Sequence, residues 1–289
     1  MITDILDTVG FTPLLRLNDL LYAKFEAYNP TGSIKDRMVH YILTRSKRRG
    51  KLKEGDTIVE ASSGNTGISI SMMGAVMDHE VIIIMPQNMS NERKQMIRLY
   101  GASIIEVDNN DFKGAIALRD KMLSDNKDYF SLQQFSNQMN IDCHRETTAQ
   151  EIASQILVST GDERISAFVS GAGTGGTIMG VHAHFKGQER TTKFVLVVPD
   201  EAPEKHGIQG IGDGADYLVD RKKIDQITRV RTEDARRRAK RLAKENGLLV
   251  GISSGANVLV AEQWIKDNNP TSPVVTILPD RGERYLSLF

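Results

Sequence analysis

The chain has 289 residues, of which 40% are hydrophobic and 26% are charged, and these fractions exclude a disordered or fibrous protein. Its 37 basic and 37 acidic residues give no formal net charge, so no overall field favours nucleic acid or an anionic membrane as a partner. The single cysteine, Cys143, excludes an intrachain disulfide and a multi-cysteine zinc site, and we interpret it as a buried free thiol.

The N-terminal residues carry acids where a signal peptide needs basic residues. No apolar run is long enough to span a membrane, and together these features predict a cytoplasmic protein. Next along the chain, the runs Leu14–Leu17 and Leu20–Tyr28 flank Asn18-Asp19. This pattern predicts two strands joined by a tight turn.

Short runs rich in β-branched residues then alternate with helix-length segments. The predicted strands are Thr57–Glu60, Val81–Met85, Ser103–Val107, Ala167–Val169, Phe194–Val198 and Val274–Leu278. Runs that are apolar throughout are typical of parallel strands buried on both faces, so the predicted fold class is α/β. Between two of these strands, Ser90 is predicted to cap a helix over Asn91–Tyr100, and Gly101 is predicted to end it.

Two further sequence patterns are typical of ordinary helices rather than of a polyanion site or a metal site. The basic run Arg236–Arg241 overlies an apolar stripe at helical spacing, which predicts a solvated helix face and no polyanion site. His182 and His184 are two residues apart, so on a helix they point to different faces, and no metal site is expected.

Three glycine-rich turns each follow an apolar run and precede a predicted helix. In Gly171–Thr177, backbone N–H groups and a helix N-terminus suit a phosphate, and the glycine spacing also satisfies a dinucleotide-binding fingerprint. The turn Gly251–Gly255 has the context of a hydrolase nucleophile elbow around Ser253. Because all six histidines precede Ser253, a hydrolase triad cannot form in its normal chain order.

The third turn, Ser62–Gly67, offers hydroxyls, an amide and backbone N–H groups that suit a carboxylate, although a structural turn with helix caps stays an alternative. Earlier in the chain, Lys35 follows the turn at Asn29–Gly32. A lysine there is ordinarily solvated, but in a dry pocket it becomes an imine-forming nucleophile and a proton shuttle.

Together, these segments resemble the cysteine synthase and cystathionine β-synthase family of fold type II pyridoxal-phosphate enzymes over nearly the whole chain. The shared motifs are Thr12-Pro13-Leu14, Asn29–Arg37, Ser63–Gly67, Gln133-Gln134-Phe135, Gly173–Thr177, Gly251–Gly255 and Pro279–Tyr285. The resemblance implies a two-domain, three-layer α/β/α fold of open twisted sheets, like that of tryptophan synthase β. It also implies a smaller mobile domain of residues 35–139 and a larger domain of residues 1–34 and 140–289, with the cofactor in the cleft between them.

The resemblance further implies that pyridoxal 5'-phosphate forms a Schiff base with Lys35, the catalytic residue. The residues matching the phosphate site are Gly173, Thr174, Gly175, Gly176 and Thr177. By the same match, Asn65 contacts the pyridine hydroxyl oxygen and Ser253 faces the pyridine nitrogen. The positions matching the substrate carboxylate site are Ser62, Ser63, Thr66 and Gln134.

A serine hydroxyl cannot keep the ring nitrogen fully protonated as a carboxylate would, so the ring is a weaker electron sink and expulsion of a β-substituent is favoured. The resemblance implies a cysteine synthase-like transferase that forms L-cysteine from an O-activated serine and sulfide through an aminoacrylate intermediate. The expected donors, in order, are O-acetylserine, O-phosphoserine, and serine with homocysteine as in cystathionine β-synthases.

The resemblance also implies a homodimer. Some relatives bind the C-terminal tail of serine acetyltransferase, so that tail is a candidate partner. The chain departs from the family in having Ser62 where threonine is usual and in shorter segments at 17–23 and 199–207. Two interpretations from other classes stay open. One is a nucleotide-binding oxidoreductase, based on Gly171–Gly176, and the other is a catalytically silent binding protein on the same scaffold.

Overall fold

The computed structural model describes residues 3–62, 64–186, 191–203, 205–212 and 215–289, which form two compact units. The first unit contains the N-terminal segment that ends at Val9 together with Lys35–Asn137, and the second contains Gly10–Ile34 and Gln138–Phe289. The smaller domain was expected to span residues 35–139. The first unit differs in that it also contains the N-terminal segment and does not contain residues 138 and 139. The latter two residues join the second unit because a helix begins at Gln138.

The described part of the chain contains ten strands and nine α-helices. In chain order, the strands are β1 (Leu14–Arg16), β2 (Leu21–Phe25), β3 (Thr57–Ala61), β4 (Val81–Pro86), β5 (Ser103–Val107), β6 (Tyr129–Phe130), β7 (Ala167–Gly171), β8 (Lys193–Pro199), β9 (Gln226–Val230) and β10 (Val274–Leu278). The helices are α1 (Lys35–Arg48), α2 (Asn65–Met77), α3 (Asn91–Leu99), α4 (Phe112–Asp125), α5 (Gln138–Glu146), α6 (Thr148–Thr160), α7 (Gly176–Lys186), α8 (Thr232–Asn246) and α9 (Ile252–Asn268).

The first unit contains a parallel sheet with the strand order β5-β4-β3-β6. Consecutive residues of its central strand β4 face helices on opposite sides. Ile83 lies against Gly67 of α2, whereas Ile84 packs in a cluster with Ala115 of α4. Because both faces are covered, the apolar run of β4 is continuous, as the sequence predicted.

The second unit contains a six-stranded sheet with the order β1-β2-β10-β7-β8-β9. Only β1 runs antiparallel to its neighbour, and the other pairs are parallel. Adjacent residues of β7 again enter different apolar clusters, since Phe168 packs with Phe185 of α7 and Val169 packs with Val258 of α9. The α/β class and all six strands predicted as apolar runs are confirmed.

Two local predictions are corrected. The hairpin β1–β2 forms, but β2 ends at Phe25, because Glu26–Tyr28 turns into a 3-10 helix whose buried Glu26 carboxylate accepts a hydrogen bond from Thr12 Oγ1 at 2.7 Å. Ser90 stands at the N-cap position of α3, yet its buried Oγ has no hydrogen-bond partner among the described residues. Helix α3 ends at Leu99, one residue earlier than expected.

The basic helix α8 is only partly solvated. Ala235, Ala239 and Leu242 form its buried stripe, as predicted, but Arg238 is also buried, with 7% of its surface exposed. Its Nε and Nη2 donate to the Glu262 carboxylate of α9 at 3.0 and 2.7 Å. The prediction of a fully solvated basic face is therefore wrong at Arg238, because a carboxylate on the neighbouring helix compensates the buried charge.

Cys143 lies in α5 and is fully buried, which confirms the interpretation of a buried thiol. Within the described residues, no helix combines the length and the hydropathy needed to cross a membrane.

Candidate active site

The glycine loop, defined here as Gly171–Thr177, connects β7 to α7 in the second unit. None of its four glycines has room for a side chain. A β-carbon on Gly173 would lie 2.5 Å from the Gly210 carbonyl oxygen, and one on Gly175, which has φ +91°, would lie 2.6 Å from Val219. A β-carbon on Gly176 would overlap the Asn140 carboxamide. The loop therefore presents backbone, including N–H groups at the start of an eleven-residue helix.

Hydrogen bonds from three segments of the second unit fix the glycine loop. Asn140 of α5 donates to Thr174 Oγ1 at 3.0 Å, and the Gly176 amide donates to the same oxygen at 3.3 Å. The amides of Gly212 and Leu218 donate to the carbonyls of Ala172 and Thr174, each at 3.0 Å. The segment Ile208–Gly212 thus supports the loop.

Thr177 completes the loop and lies beside a buried histidine. Its Oγ1 is 3.3 Å from His144 Nε2, and His144 Nδ1 is 2.9 Å from Thr148 Oγ1. The two helices α5 and α6 therefore hold the imidazole against the first turn of α7.

Ser253 lies in the first turn of α9 and is almost fully buried, with 4% of its surface exposed. One turn further along, Asn257 connects α9 to the sheet. It accepts a hydrogen bond from the Gly171 amide at 2.8 Å and donates to the Ile277 carbonyl at 3.0 Å. Asn257 therefore fixes the start of the glycine loop and the helix of Ser253 relative to each other.

The turn before Ser253 packs against a buried carboxylate. A β-carbon on Gly251 would overlap Asp280, which is 2% exposed and accepts a hydrogen bond from the Tyr285 hydroxyl. Gly251 also donates its amide to the Asp280 carbonyl at 3.1 Å. The Pro279–Tyr285 motif thereby supports the backbone from which Ser253 projects.

Lys35 is the first residue of α1 and is half-buried. The residues that precede it are anchored within the second unit, where the Ile34 amide donates to the Pro279 carbonyl at 2.8 Å and Arg281 packs on Gly32. After Lys35, the buried Asp36 accepts a hydrogen bond from the Ser69 hydroxyl of α2. The backbone on either side of Lys35 is therefore fixed by side chains and by neighbouring segments.

The turn before α2 brings together most of the predicted carboxylate site. The buried Ser62 Oγ accepts hydrogen bonds from the amides of Gly64 and Gly67 at 3.3 and 2.9 Å. Thr66 Oγ1 donates to Gln134 Oε1 at 2.8 Å, and Gln134 Nε2 donates to the Ala61 carbonyl at 3.3 Å. Asn65 is half-buried at the first position of α2, whereas Ser63 lies outside the described residues.

A buried ion pair fixes the backbone of the residue that precedes Gln134. Glu60 is fully buried, and it accepts hydrogen bonds from Arg119 Nη1 and from the Gln133 amide, both at 2.9 Å. Burial raises the pKa of Glu60, and the attraction of Arg119 opposes that rise only in part. The carboxylate therefore holds the strained Gln133, which has φ +52°, next to the residue predicted to bind substrate.

Four residues of this site were not found from the sequence. Asn140, His144 and Asn257 act through partners more than 25 positions away, and Arg93 lies against Gly64, whose β-carbon would come within 2.9 Å of Arg93 Nε. Arg93 is 5% exposed and adds a positive charge beside the Ser62–Gly67 turn. The unusual glycine content of the turns was the available signal, because each glycine marks a close neighbour.

Comparisons with known proteins agree with this geometry. The family described as pyridoxal-phosphate dependent enzymes matches residues 5–280. A cysteine synthase of Staphylococcus aureus is 36% identical over 302 residues, covering 99% of this chain and 96% of that protein. The chain belongs to the cysteine synthase family of pyridoxal-phosphate-dependent enzymes.

Solved structures of the same family superpose on nearly the whole chain. An O-ureido-L-serine synthase is 35% identical with a TM-score of 0.92, and the match covers 100% of this chain and 95% of that one. A cysteine synthase from Entamoeba histolytica is 34% identical with a TM-score of 0.90, covering 99% and 90%. The fold type II assignment is therefore confirmed.

The cofactor of this cysteine synthase family member is pyridoxal phosphate. The glycine loop fits it, because crowded glycines expose backbone at a helix N-terminus, where a phosphate binds without a cationic side chain. The family assignment favours this use of the loop over the dinucleotide fingerprint. The roles of individual site residues stay predictions.

Proposed function

We propose that this enzyme replaces the β-substituent of an O-activated serine, with O-acetylserine preferred, by sulfide to form L-cysteine. The observation that carries the proposal is the 36% identity to a protein named cysteine synthase over 99% of the chain. O-phosphoserine, and serine with homocysteine, follow as alternative substrates. The solved O-ureido-L-serine synthase, 35% identical, indicates that related chains accept other nucleophiles or donors.

We assign the cofactor contacts to the residues predicted from the sequence. Gly173, Thr174, Gly175, Gly176 and Thr177 bind its phosphate, Asn65 binds the ring hydroxyl oxygen, and the Ser253 hydroxyl hydrogen-bonds the ring nitrogen. When bound, pyridoxal phosphate supplies an aldehyde carbon for amines and a conjugated ring that withdraws electrons from the substrate α-carbon. Because Ser253 carries no charge, it leaves the ring a moderate electron sink, which suits loss of a β-substituent.

Lys35 is the proposed catalytic residue. Its ε-amine holds the cofactor in the resting enzyme, removes the α-proton of the substrate once released, and returns a proton after the nucleophile has added. The fixed backbone around Ile34 and Asp36 limits the positions that this amine can reach, which favours proton transfer at one carbon.

The substrate carboxylate is assigned to Ser62, Ser63, Thr66 and Gln134. Ser62 Oγ already accepts two backbone N–H groups, so its own proton is the group available to an anion. The N-terminal dipole of the thirteen-residue helix α2 and the nearby Arg93 charge add to the attraction. These features support a carboxylate site in which Ser62 acts as a donor.

The first test replaces Lys35 with alanine and uses Lys47→Ala, an exposed lysine of the same helix, as the matched control. We expect the wild type and Lys47→Ala to bind the cofactor with visible absorbance, and borohydride to attach it to the peptide containing Lys35. Lys35→Ala should lose turnover. A fully active Lys35→Ala protein, or attachment at another residue, would contradict the assignment.

The second test is a screen of donors against nucleophiles with the purified holoenzyme. O-acetylserine with sulfide should give the highest kcat/KM, and O-phosphoserine or serine with homocysteine should be slower. Turnover with no combination, in a protein that carries the cofactor, would favour a silent binding protein.

We also propose a cytoplasmic homodimer. Phe11 and Val158 are 85% and 89% exposed, and the Phe11 amide donates to Glu151 of α6, the helix that carries Val158. Large apolar side chains at such exposure support a subunit interface on this face. Light scattering should give the mass of a dimer, and the double variant Phe11→Ser with Val158→Ser should reduce that mass. Binding of a peptide with the sequence of the serine acetyltransferase C-terminus tests the further partner.

A further inference from the structure

A basic cavity lies in the second unit, separate from the glycine loop. It has a volume of about 470 Å³ and is bounded by β9, α8 and α9. Strand β9 stands two strands from β7 in the sheet, which corresponds to roughly 10 Å. The cavity is therefore distinct from the glycine loop that follows β7.

Only some of the positive charges around this cavity are paired with carboxylates. Five arginines line it, against two aspartates, Asp200 and Asp234. Within the described residues, Arg237 pairs with Asp234 and Arg241 pairs with Glu245, whereas Arg229 and Arg231 form no ion pair. Positive charge at Arg229 and Arg231 is thus available to a ligand.

Arg238 adds a buried donor to the same cavity. Its side chain is 7% exposed, and Glu262 accepts hydrogen bonds from Nε and Nη2. The remaining Nη1 is buried, lies 3.8 Å from Glu245, and has no hydrogen-bond partner among the described residues. Buried donors are normally satisfied, so Arg238, which lines the cavity, keeps one donor that the described protein groups leave unused.

We propose that this cavity binds a small organic phosphate with at least two negative charges. Guanidinium groups match phosphate oxygens in a bidentate geometry, and Arg229, Arg231 and Arg238 supply the donors that protein carboxylates leave unused. Leu259 and Val260 provide an apolar wall for the organic part of the ligand. Asp200 and Asp234 offer acceptors for its hydroxyl or amino groups, and the volume lies in the range of small-molecule sites.

The proposal is tested by titrating the holoenzyme with inorganic pyrophosphate in a calorimeter, with succinate as a dianionic comparator. The holoenzyme is used because its glycine loop is already filled by cofactor phosphate. We expect saturable binding of pyrophosphate at one site per chain, which Arg229→Ala with Arg231→Ala weakens by roughly tenfold or more. Arg238→Lys keeps the positive charge but removes the guanidinium group that can bind a phosphate in a bidentate geometry, so it should also weaken binding.

The matched control is Arg164→Ala with Arg221→Ala, which removes the same charge from exposed positions outside the cavity. Binding by this control should stay within about twofold of the wild type. Equal weakening in both double variants would show a diffuse field and overturn the proposal, as would the absence of saturable binding. Tighter binding of succinate than of pyrophosphate would overturn the phosphate class.

Discussion

The Asn140 carboxamide occupies the space that a side chain at Gly176 would need, and it donates a hydrogen bond to Thr174 Oγ1 at 3.0 Å. One residue of α5 thus both forces a glycine into the loop and orients the threonine next to it. The loop is specified by its neighbours as much as by its own sequence.

Gly176→Ala should consequently destabilise the protein and weaken cofactor binding. The added methyl group must displace the buried Asn140, and overpacking of this kind typically costs about 1–3 kcal/mol. Urea unfolding and a titration with pyridoxal phosphate measure the two effects. Adding Asn140→Ala to Gly176→Ala should recover part of the lost stability, and a Gly176→Ala protein with wild-type stability and affinity would contradict the contact.

Ser62→Ala should raise KM for the amino-acid donor and lower the free energy of unfolding. The Gly64 and Gly67 amides lose their shared acceptor, which at a helix start costs about 0.5–2 kcal/mol. Ser62→Thr, which keeps the hydroxyl, is the control and should stay close to wild type. Equal KM values for the alanine and threonine variants would argue against a carboxylate contact at this residue.

Arg119→Met should strengthen the dependence of stability on pH that Glu60 causes. Without the arginine, burial raises the pKa of Glu60 further above its unfolded value. The folded variant then binds a proton that the unfolded chain has released, so its stability falls as the pH rises through the folded pKa. Breaking the pair should cost about 3–5 kcal/mol at neutral pH and less in mild acid.

The control for this effect is Arg119→Met combined with Glu60→Gln, which has no carboxylate to titrate at position 60. Denaturant unfolding between pH 5 and pH 8 should show a steeper loss of stability for Arg119→Met than for the double variant. Parallel curves would show that Glu60 does not cause the dependence.

Asn257→Ala should weaken both the fold and the cofactor site. It leaves the Gly171 amide and the Ile277 carbonyl without a buried partner, at a cost of roughly 2–5 kcal/mol. The matched control is Asn268→Ala, at the exposed end of the same helix. Similar melting temperatures for the two variants would contradict the proposed link between α9 and the glycine loop.

The sequence predicted strands best where both faces are buried. The run at β4 is apolar throughout, and the run at β10 is apolar except for Thr276, because helices cover both sides of each sheet. The edge strand β9 was missed because it is mostly exposed and polar, and β6 was missed because it has only two residues. Neither has an apolar pattern that differs from that of a loop.

The features that the sequence did not predict depend on long-range side-chain contacts. Asn257 hydrogen-bonds Gly171 across 86 positions, and Arg238 is buried because Glu262 lies opposite on α9. Periodicity along one helix cannot show which partner the next helix provides. The failed cap at Ser90 has the same origin, because local spacing did not show that its hydroxyl is buried with no hydrogen-bond partner in the described part of the chain.

The complete burial of Cys143 is important in an enzyme that is proposed to use hydrosulfide as a substrate. As the only cysteine, with no exposed surface, it offers neither an oxidant nor a persulfide a target on the folded protein. A thiol introduced on the surface would then be the sole reactive one, which makes the chain suited to site-specific labelling.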